Sequence, residues 1–311
     1  TDTWSHYTRY GSSSNSLSHT SILSLHKDMQ GNIWVGTYYG GVNVFNPDKN
    51  NHSFYCAEPL REDCLSFPVV GKMTEDSVGN VWICTEGGGL NCYHGDTGVF
   101  SRYMYQKGDQ STLGSNNVKS VFYRKENNRL YAGTHLGGLF VLDLKSNKGH
   151  TLHHVTGDPA SLPHEIVNDI QEYKDGIAML TQGGPVFFDP VTEKFSPLTD
   201  DPSVQKLISR EYAFETFLID SRHRMWLAVG GGGIVCVNLS SSKVTQYMAD
   251  SEKDTLTVGR YKTVHIFEDN KGDIYFSTIG AGIFKYQEKQ DTFKSYGTTN
   301  GVLPSNYCYY I

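Results

Sequence analysis

Short runs of apolar, β-branched and aromatic residues alternate with polar turns along the whole chain. One run reads Ile33-Trp34-Val35-Gly36-Thr37, bounded by Asp28 to Asn32 before it and Tyr38 to Gly41 after it. A run of this length and composition between Asp, Asn and Gly fits a strand. The same arrangement returns at Val81-Trp82-Ile83-Cys84-Thr85, and further copies centre on Tyr131, Ala178, Trp226 and Tyr275. The six centres are spaced by 48, 49, 47, 48 and 49 residues. A fixed period of this size marks repeated supersecondary units. Three of the four tryptophans occupy the one position, so chance does not account for the alignment.

Each unit reads as four short strands. The first carries apolar residues three apart, Ile22 and Leu25 or Val70 and Met73. An Asp-x-x-Gly turn follows, in which Asp accepts a backbone N–H two residues on and Gly supplies a positive φ. After the second strand comes Thr-x-x-Gly-Gly, a second hairpin turn. The third strand ends in a polar stretch, and the fourth carries an aromatic pair such as Phe100 and Tyr103. Longer loops, often with a Ser-Leu or Thr-Leu step, lead to the next unit. Four antiparallel strands at a 40–50 residue period predict an all-β fold, a β-propeller of four-stranded antiparallel blades. The expected units are 11–58, 59–106, 107–155, 156–198, 199–248 and 249–297, in a single domain. No long helix is expected, and 203–216 reads as a loop with one helical turn.

Dividing 311 residues by about 48 leaves half a unit. Trp4 and Tyr7 match the fourth-strand aromatics, and Cys308 and Ile311 match the first-strand pair. Residues 1–10 and 298–311 are therefore expected to supply the last and first strands of a partial seventh blade. Unpaired strand edges are a liability, so the expectation is a piece of a longer chain.

Composition narrows the partners. Lys and Arg number 27 against 33 Asp and Glu, a net charge of −6, with no basic run. A phosphate backbone needs a positive footprint, so nucleic acid is not an expected partner. No apolar stretch approaches the roughly 18 residues that span a bilayer, so this segment itself makes no membrane contact. The six cysteines form no C-x-x-C pair, against zinc or thioredoxin-like chemistry. Most sit at apolar repeat positions, and only Cys56 and Cys64 are spaced for a disulfide across a loop. His150, His153, His154 and His164 are dense, but a strand would point them to different sides. No metal, cofactor or catalytic residue is expected. Gly230 to Gly233 lacks the helix and the Gly-Lys-Ser/Thr that a phosphate loop needs.

The motif D-x-x-G-x-[IL]-W-[VI]-G-T-x-x-G-G-[VL], followed by F-x-x-Y and a Ser-Leu step, resembles the two-component regulator propeller repeat. Gly301-Val-Leu-Pro-Ser-Asn306 resembles that family's lead-in to another blade. The resemblance implies a periplasmic sensor region of a hybrid two-component system. Such receptors carry about twice this many blades, a small immunoglobulin-like domain, a membrane helix and a kinase. Implied partners are an oligosaccharide or other small-molecule ligand, the neighbouring receptor domains and a second copy in a homodimer. The implied role is control of glycan-utilisation genes through the kinase.

Candidate binding residues lie at the variable positions of the Thr-x-x-Gly-Gly turns, which share one face with the long loops. They read Tyr38-Tyr39, Glu86-Gly87, His135-Leu136, Gln182-Gly183, Gly230-Gly231 and Ile279. Sugars need flat apolar faces and polar groups for hydroxyls. Tyr38, Tyr39, Glu86, His135 and Gln182 suit that need, with Arg61, Glu62, Asp63 and Arg260 from the loops. Asp28, Asp76, Asp220 and Asp269 recur at the turn position and are expected to brace turns. Two other readings remain: a lyase or glycosidase, for which no recurring carboxylate pair is visible, and a protein-interaction scaffold.

Overall fold

The computed structural model describes residues 16–48, 51–58, 61, 63–249, 257–299 and 301–311. Among them are six four-stranded antiparallel sheets, each in simple sequential strand order. They are six β-propeller blades, spanning 22–55, 70–103, 118–152, 167–197, 214–247 and 262–296. Residues 1–156 with 164–170 form one compact unit, and 157–163 with 171–311 form a second.

Each blade is organised by its first turn. In blade 1, Asp28 Oδ1 accepts the backbone N–H groups of Gln30 and Asn32, at 3.0 and 2.7 Å. Its Oδ2 accepts from Asn32 Nδ2 at 2.7 Å and from the indole Nε1 of Trp34 at 2.8 Å. Asp76 repeats all four bonds with Val78, Asn80 and Trp82. Asp220 repeats them with Arg222, Arg224 and Trp226, the Arg224 side chain replacing the Asn amide. Asp269 keeps the two backbone bonds and meets Tyr275 Oη at 3.4 Å. The turn glycines Gly31, Gly79 and Gly272 have φ of 83, 88 and 79°, whereas blade 5 places His223 there at 58°. In blade 3, Asn127 Nδ2 donates instead to the hydroxyl of Tyr131, in the tryptophan slot.

The tryptophan held this way packs between blades. Trp82, Cys84, Leu90 and Cys92 of blade 2 cluster with Val118, Val121, Leu130 and Phe140 of blade 3. Trp34 and Val42 of blade 1 cluster with Val70, Val81, Ile83 and Phe100 of blade 2. Trp226 and Ile234 of blade 5 do so with Ile266, Phe276 and Phe284 of blade 6. Close approach of the next blade explains the glycine within the second strand of blades 1 and 3. A Cβ at Gly36 would stand 2.8 Å from Val70 Cγ1, and one at Gly133 would stand 2.6 Å from the Val167 carbonyl. Blade 4 lacks the braced turn and has Ala178 in the tryptophan slot, fully buried. There Gln171 bridges to blade 5, donating to the Ile219 carbonyl at 2.7 Å and accepting its N–H at 2.9 Å.

Several expectations change. No seventh sheet occurs among the described residues: 298–311 contain no strand, while residues 1–10, with Trp4 and Tyr7, lie outside the described residues. Instead the Asn306 carbonyl accepts the Gly280 and Gly282 N–H groups, as the Asn116 carbonyl accepts those of Gly87 and Gly89. The Gly301–Asn306 segment therefore caps blade 6 as an inter-blade loop caps blade 2. Where one helical turn was expected, Pro202–Lys206 is α-helical and continues as a wider π-type turn over Leu207–Glu211. Asp201 caps it through the N–H groups of Ser203 and Val204, and Val204 and Ile208 bury their side chains in the blade 4–5 core. Cys56 and Cys64 are free thiols, as are the other four. Burial pushes the Cys92 and Cys236 thiols up to about 12, which keeps them unreactive.

Asp76→Ala should destabilise the fold by about 2–4 kcal/mol in urea unfolding, because it strands a buried indole donor and two backbone donors. With Trp82→Phe in the same background the two effects should add to less than their sum. A second prediction concerns acid. His26 Nε2 is buried without a partner, and burial holds its pKa below the ordinary 6.5. The unfolded chain then takes up the proton first, so stability should fall as pH drops through about 6.5 and level off below the folded value. His26→Leu should flatten that slope in unfolding curves taken between about pH 7.5 and 5, which bracket the ordinary imidazole value.

Candidate functional site

The second turn is braced by a threonine in five of the six blades, blade 5 having Val229 there. The Thr hydroxyl donates to the carbonyl of the closing Gly, from Thr37 to Gly41 at 2.9 Å and from Thr85 to Gly89 at 2.8 Å. The closing glycines have positive φ, and a Cβ at Gly89 would stand 2.2 Å from the Tyr103 carbonyl. The N–H of the first variable residue then donates to the carbonyl just before the first strand of its own blade. Tyr38 donates to Ser21, Glu86 to Val69 and His135 to Asn117. Tyr38, Glu86 and His135 thus stand at equivalent tips on blades 1, 2 and 3.

Tyr38 and Tyr39 are both exposed, at 43% and 62%, with ring centroids 4.5 Å apart and planes at 73°. Tyr39 takes a left-handed φ of 67°, which turns its ring onto its neighbour. The Tyr38 phenol is raised above its ordinary value, first by its hydrogen bond to Tyr39, with the Glu86 carboxylate adding to the shift. Lys119, on the first strand of blade 3, reaches Glu86 Oε1 at 3.1 Å. The tip of blade 1 therefore presents two phenols, and the tip of blade 2 a carboxylate paired with an ammonium group from blade 3. His135 is half-buried on the third tip, beside the exposed Leu136.

Within the first compact unit, Arg61 forks onto Asp63 of its own loop at 3.0 and 2.8 Å, an exposed pair between blades 1 and 2. Glu62 lies outside the described residues. Gln182 and Arg260 belong to the second compact unit, where both are exposed. Of the histidine group, His153 Nδ1 meets Glu165 Oε2 at 3.0 Å, and no three His, Cys, Asp or Glu converge among the described residues. Lys119 was absent from the sequence-derived set. Its signal is weak: a Lys on the first strand of the blade that follows Glu86, 33 residues on.

The turn tip lies inside the segment that carries the repeat signature most fully. Residues 16–39 match the model of the two component regulator propeller. This repeat stretch runs from the loop before blade 1 through the Asp28 turn to Tyr38 and Tyr39. No curated protein matches the chain. Among solved structures, the extracellular domain of the hybrid two component system BT3049 of B. thetaiotaomicron is similar over 94% of this chain and 37% of its own. That pair has 21% identity and a TM-score of 0.72. The corresponding domain of BT4673 from the same organism has 20% identity and a TM-score of 0.69, over 92% of this chain and 37% of its own. PorZ, a surface component of the type-IX secretion system of Porphyromonas gingivalis, has 14% identity and a TM-score of 0.67, over 94% and 44%. At these identities the likeness is one of fold. The chain spans less than half the length of each of these three.

Replacing Tyr39 by Phe should lower the Tyr38 pKa, and Glu86→Gln should lower it by less, because the hydrogen bond outranks the charge. A pH titration followed by NMR of ring-labelled tyrosine checks both the direction and the order.

Proposed function

We propose that this chain is a ligand-sensing propeller segment of the extracytoplasmic, periplasmic part of a two-component receptor, and that it is not itself an enzyme. The ligand is an oligosaccharide gripped at the Tyr38–Tyr39–Glu86–Lys119 tips. The observation that carries this reading is the pair of exposed, mutually perpendicular tyrosines beside an ion pair, on backbone pinned by two hydrogen-bonded turns. Two phenol rings offer carbon faces for sugar C–H groups, and Glu86 and Lys119 offer an acceptor and donors for hydroxyls. An exposed ion pair is worth little to stability, so its partners are available to a ligand at small cost.

The repeat match at residues 16–39 and the fold likeness to extracellular receptor domains support placing the chain in such a receptor. A ligand would then act by binding one arrangement of the neighbouring receptor domains, or of two receptor copies, more tightly than another. Output through a kinase to glycan-utilisation genes belongs to the same proposal. A glycosidase would need a second carboxylate placed for the bond being cut. Glu86 has Lys119 as its side-chain partner instead.

Isothermal titration against a panel of plant and host oligosaccharides tests the reading. At least one should bind, and Tyr38→Ala with Tyr39→Ala should weaken it by about a hundredfold, the loss of roughly 3 kcal/mol. Binding that survives the double substitution would place the ligand elsewhere. A flat response across the panel would favour an interaction scaffold.

A further inference from the structure

At the Asp-turn end, opposite the Thr-x-x-Gly-Gly tips, four repeat positions decide how well neighbouring blades close on each other. Between blades 1 and 2 they hold Trp34, Tyr55, Tyr93 and Phe100. Trp34 lies 6.1 Å from Tyr55 and 5.0 Å from Tyr93, and the two tyrosine hydroxyls meet at 3.0 Å. The gap left there is about 170 Å³. Blades 5 and 6 fill the same positions with Trp226, Tyr247, Tyr286 and Phe293, and Asp291 accepts both phenol hydroxyls at 2.5 and 2.8 Å.

Between blades 2 and 3 the four positions hold Trp82, Tyr103, Leu142 and Gly149. Phe140 covers the Gly149 position, since a Cβ there would stand 2.4 Å from its ring. Leu142, however, is shorter than the phenols of Tyr93 and Tyr286. The cleft at this interface, walled by Trp82 and Tyr103 of blade 2 and Tyr123 of blade 3, measures about 570 Å³. That falls within the roughly 300–1,000 Å³ of small-molecule sites, and the blade 1–2 gap does not.

The walls of the cleft combine carbon faces with uncommitted amides. Tyr103, Tyr123 and Leu144 line it. The Tyr103 hydroxyl donates to Asn147 Oδ1 at 3.0 Å, and the Tyr123 hydroxyl lies 2.9 Å from both Asn128 Oδ1 and Ser77 Oγ. Those contacts orient both amides and leave their NH₂ groups as donors. Asn80 adds an acceptor. In blade 1 the matching Asn32 Oδ1 accepts from Asn46 at 2.6 Å, but blade 2 has His94 at that place, turned to Ser101 at 2.6 Å. Both oxygens of Asp76 are filled by the turn and by Trp82. Lys125 is exposed at the rim, where a solvated charge adds little.

Planar amides and phenol faces suit a hydroxylated ring, with no carboxylate free to hold a cation and the one lining ammonium, Lys125, left in solvent at the rim. We propose that the cleft between blades 2 and 3 binds a neutral polyol of monosaccharide size. This site is separate from the turn tips and does not rest on the reading given for them.

The test is titration of the chain with glucose, galactose, mannose and xylose, followed by saturation-transfer NMR and calorimetry, with glucuronate as a charged control. At least one neutral sugar should saturate, and more tightly than glucuronate. Asn128 and Asn147 both sit at a φ of 51°, so glycine preserves each turn while deleting its amide. Asn128→Gly and Asn147→Gly should each weaken binding about tenfold, the loss of one good hydrogen bond. Leu142→Tyr, which introduces the phenol found at the blade 1–2 and blade 5–6 interfaces, should abolish it. If Leu142→Tyr does not fold, the two glycine variants decide. Failure of all four neutral sugars to saturate would overturn the proposal. So would binding that survives the cleft variants, or binding lost only with the Tyr38 and Tyr39 pair.

Discussion

A single buried carboxylate sets the geometry of a blade. Asp28, Asp76 and Asp220 are each less than a tenth exposed, and each receives four N–H donors. Burying an ionised carboxylate is expensive unless its lone pairs are filled, and here they are filled by the turn that follows. Two backbone donors fix the hairpin. The fourth donor is the indole six residues on, so the same group that shapes the turn also aims the tryptophan. The turn and the core between blades are therefore one construction. Where the carboxylate is missing, the chain substitutes locally: Asn127 with Tyr131 in blade 3, and Gln171 with the Ile219 backbone in blade 4.

With the backbone held at both ends of the second strand, side chains at the remaining positions are free to differ between blades. The two ends use that freedom differently. At the Thr-x-x-Gly-Gly tips, variation is additive, placing Tyr38, Tyr39, Glu86 and His135 on equivalent mounts. At the Asp-turn end, variation is subtractive. Where Leu142 and Gly149 stand at the positions of Tyr93 and Phe100, the interface is flanked by a lined cleft of about 570 Å³ in place of a gap of about 170 Å³. A rigid repeat thus generates sites both by what it displays and by what it omits.

The strands, both turn types and the aromatic slots were readable from the period, because each depends on residues within about six positions of one another. The left-handed turn position of blade 5 was harder to read, since His223 replaces glycine there and only the preserved hydrogen bonds reveal the match. The helical segment at Pro202–Lys206 was underestimated because its buried face is two residues, Val204 and Ile208, too few for a visible helical period. Arg61 read as a lone loop cation, and only the structure pairs it with Asp63 two residues on.

Sequence alone determined the repeat, the blade, the braced turns and the tips at which variable residues stand. All of these follow from local rules of turn chemistry and alternation applied six times over. Tertiary structure decided which of the variable residues meet. The Glu86–Lys119 pair joins residues 33 apart on adjacent blades. The blade 2–3 cleft is walled by Trp82 and Tyr103 of one blade and Tyr123, Asn128 and Asn147 of the next. Contacts between blades are set by the separation and twist of neighbouring sheets, which no single repeat encodes.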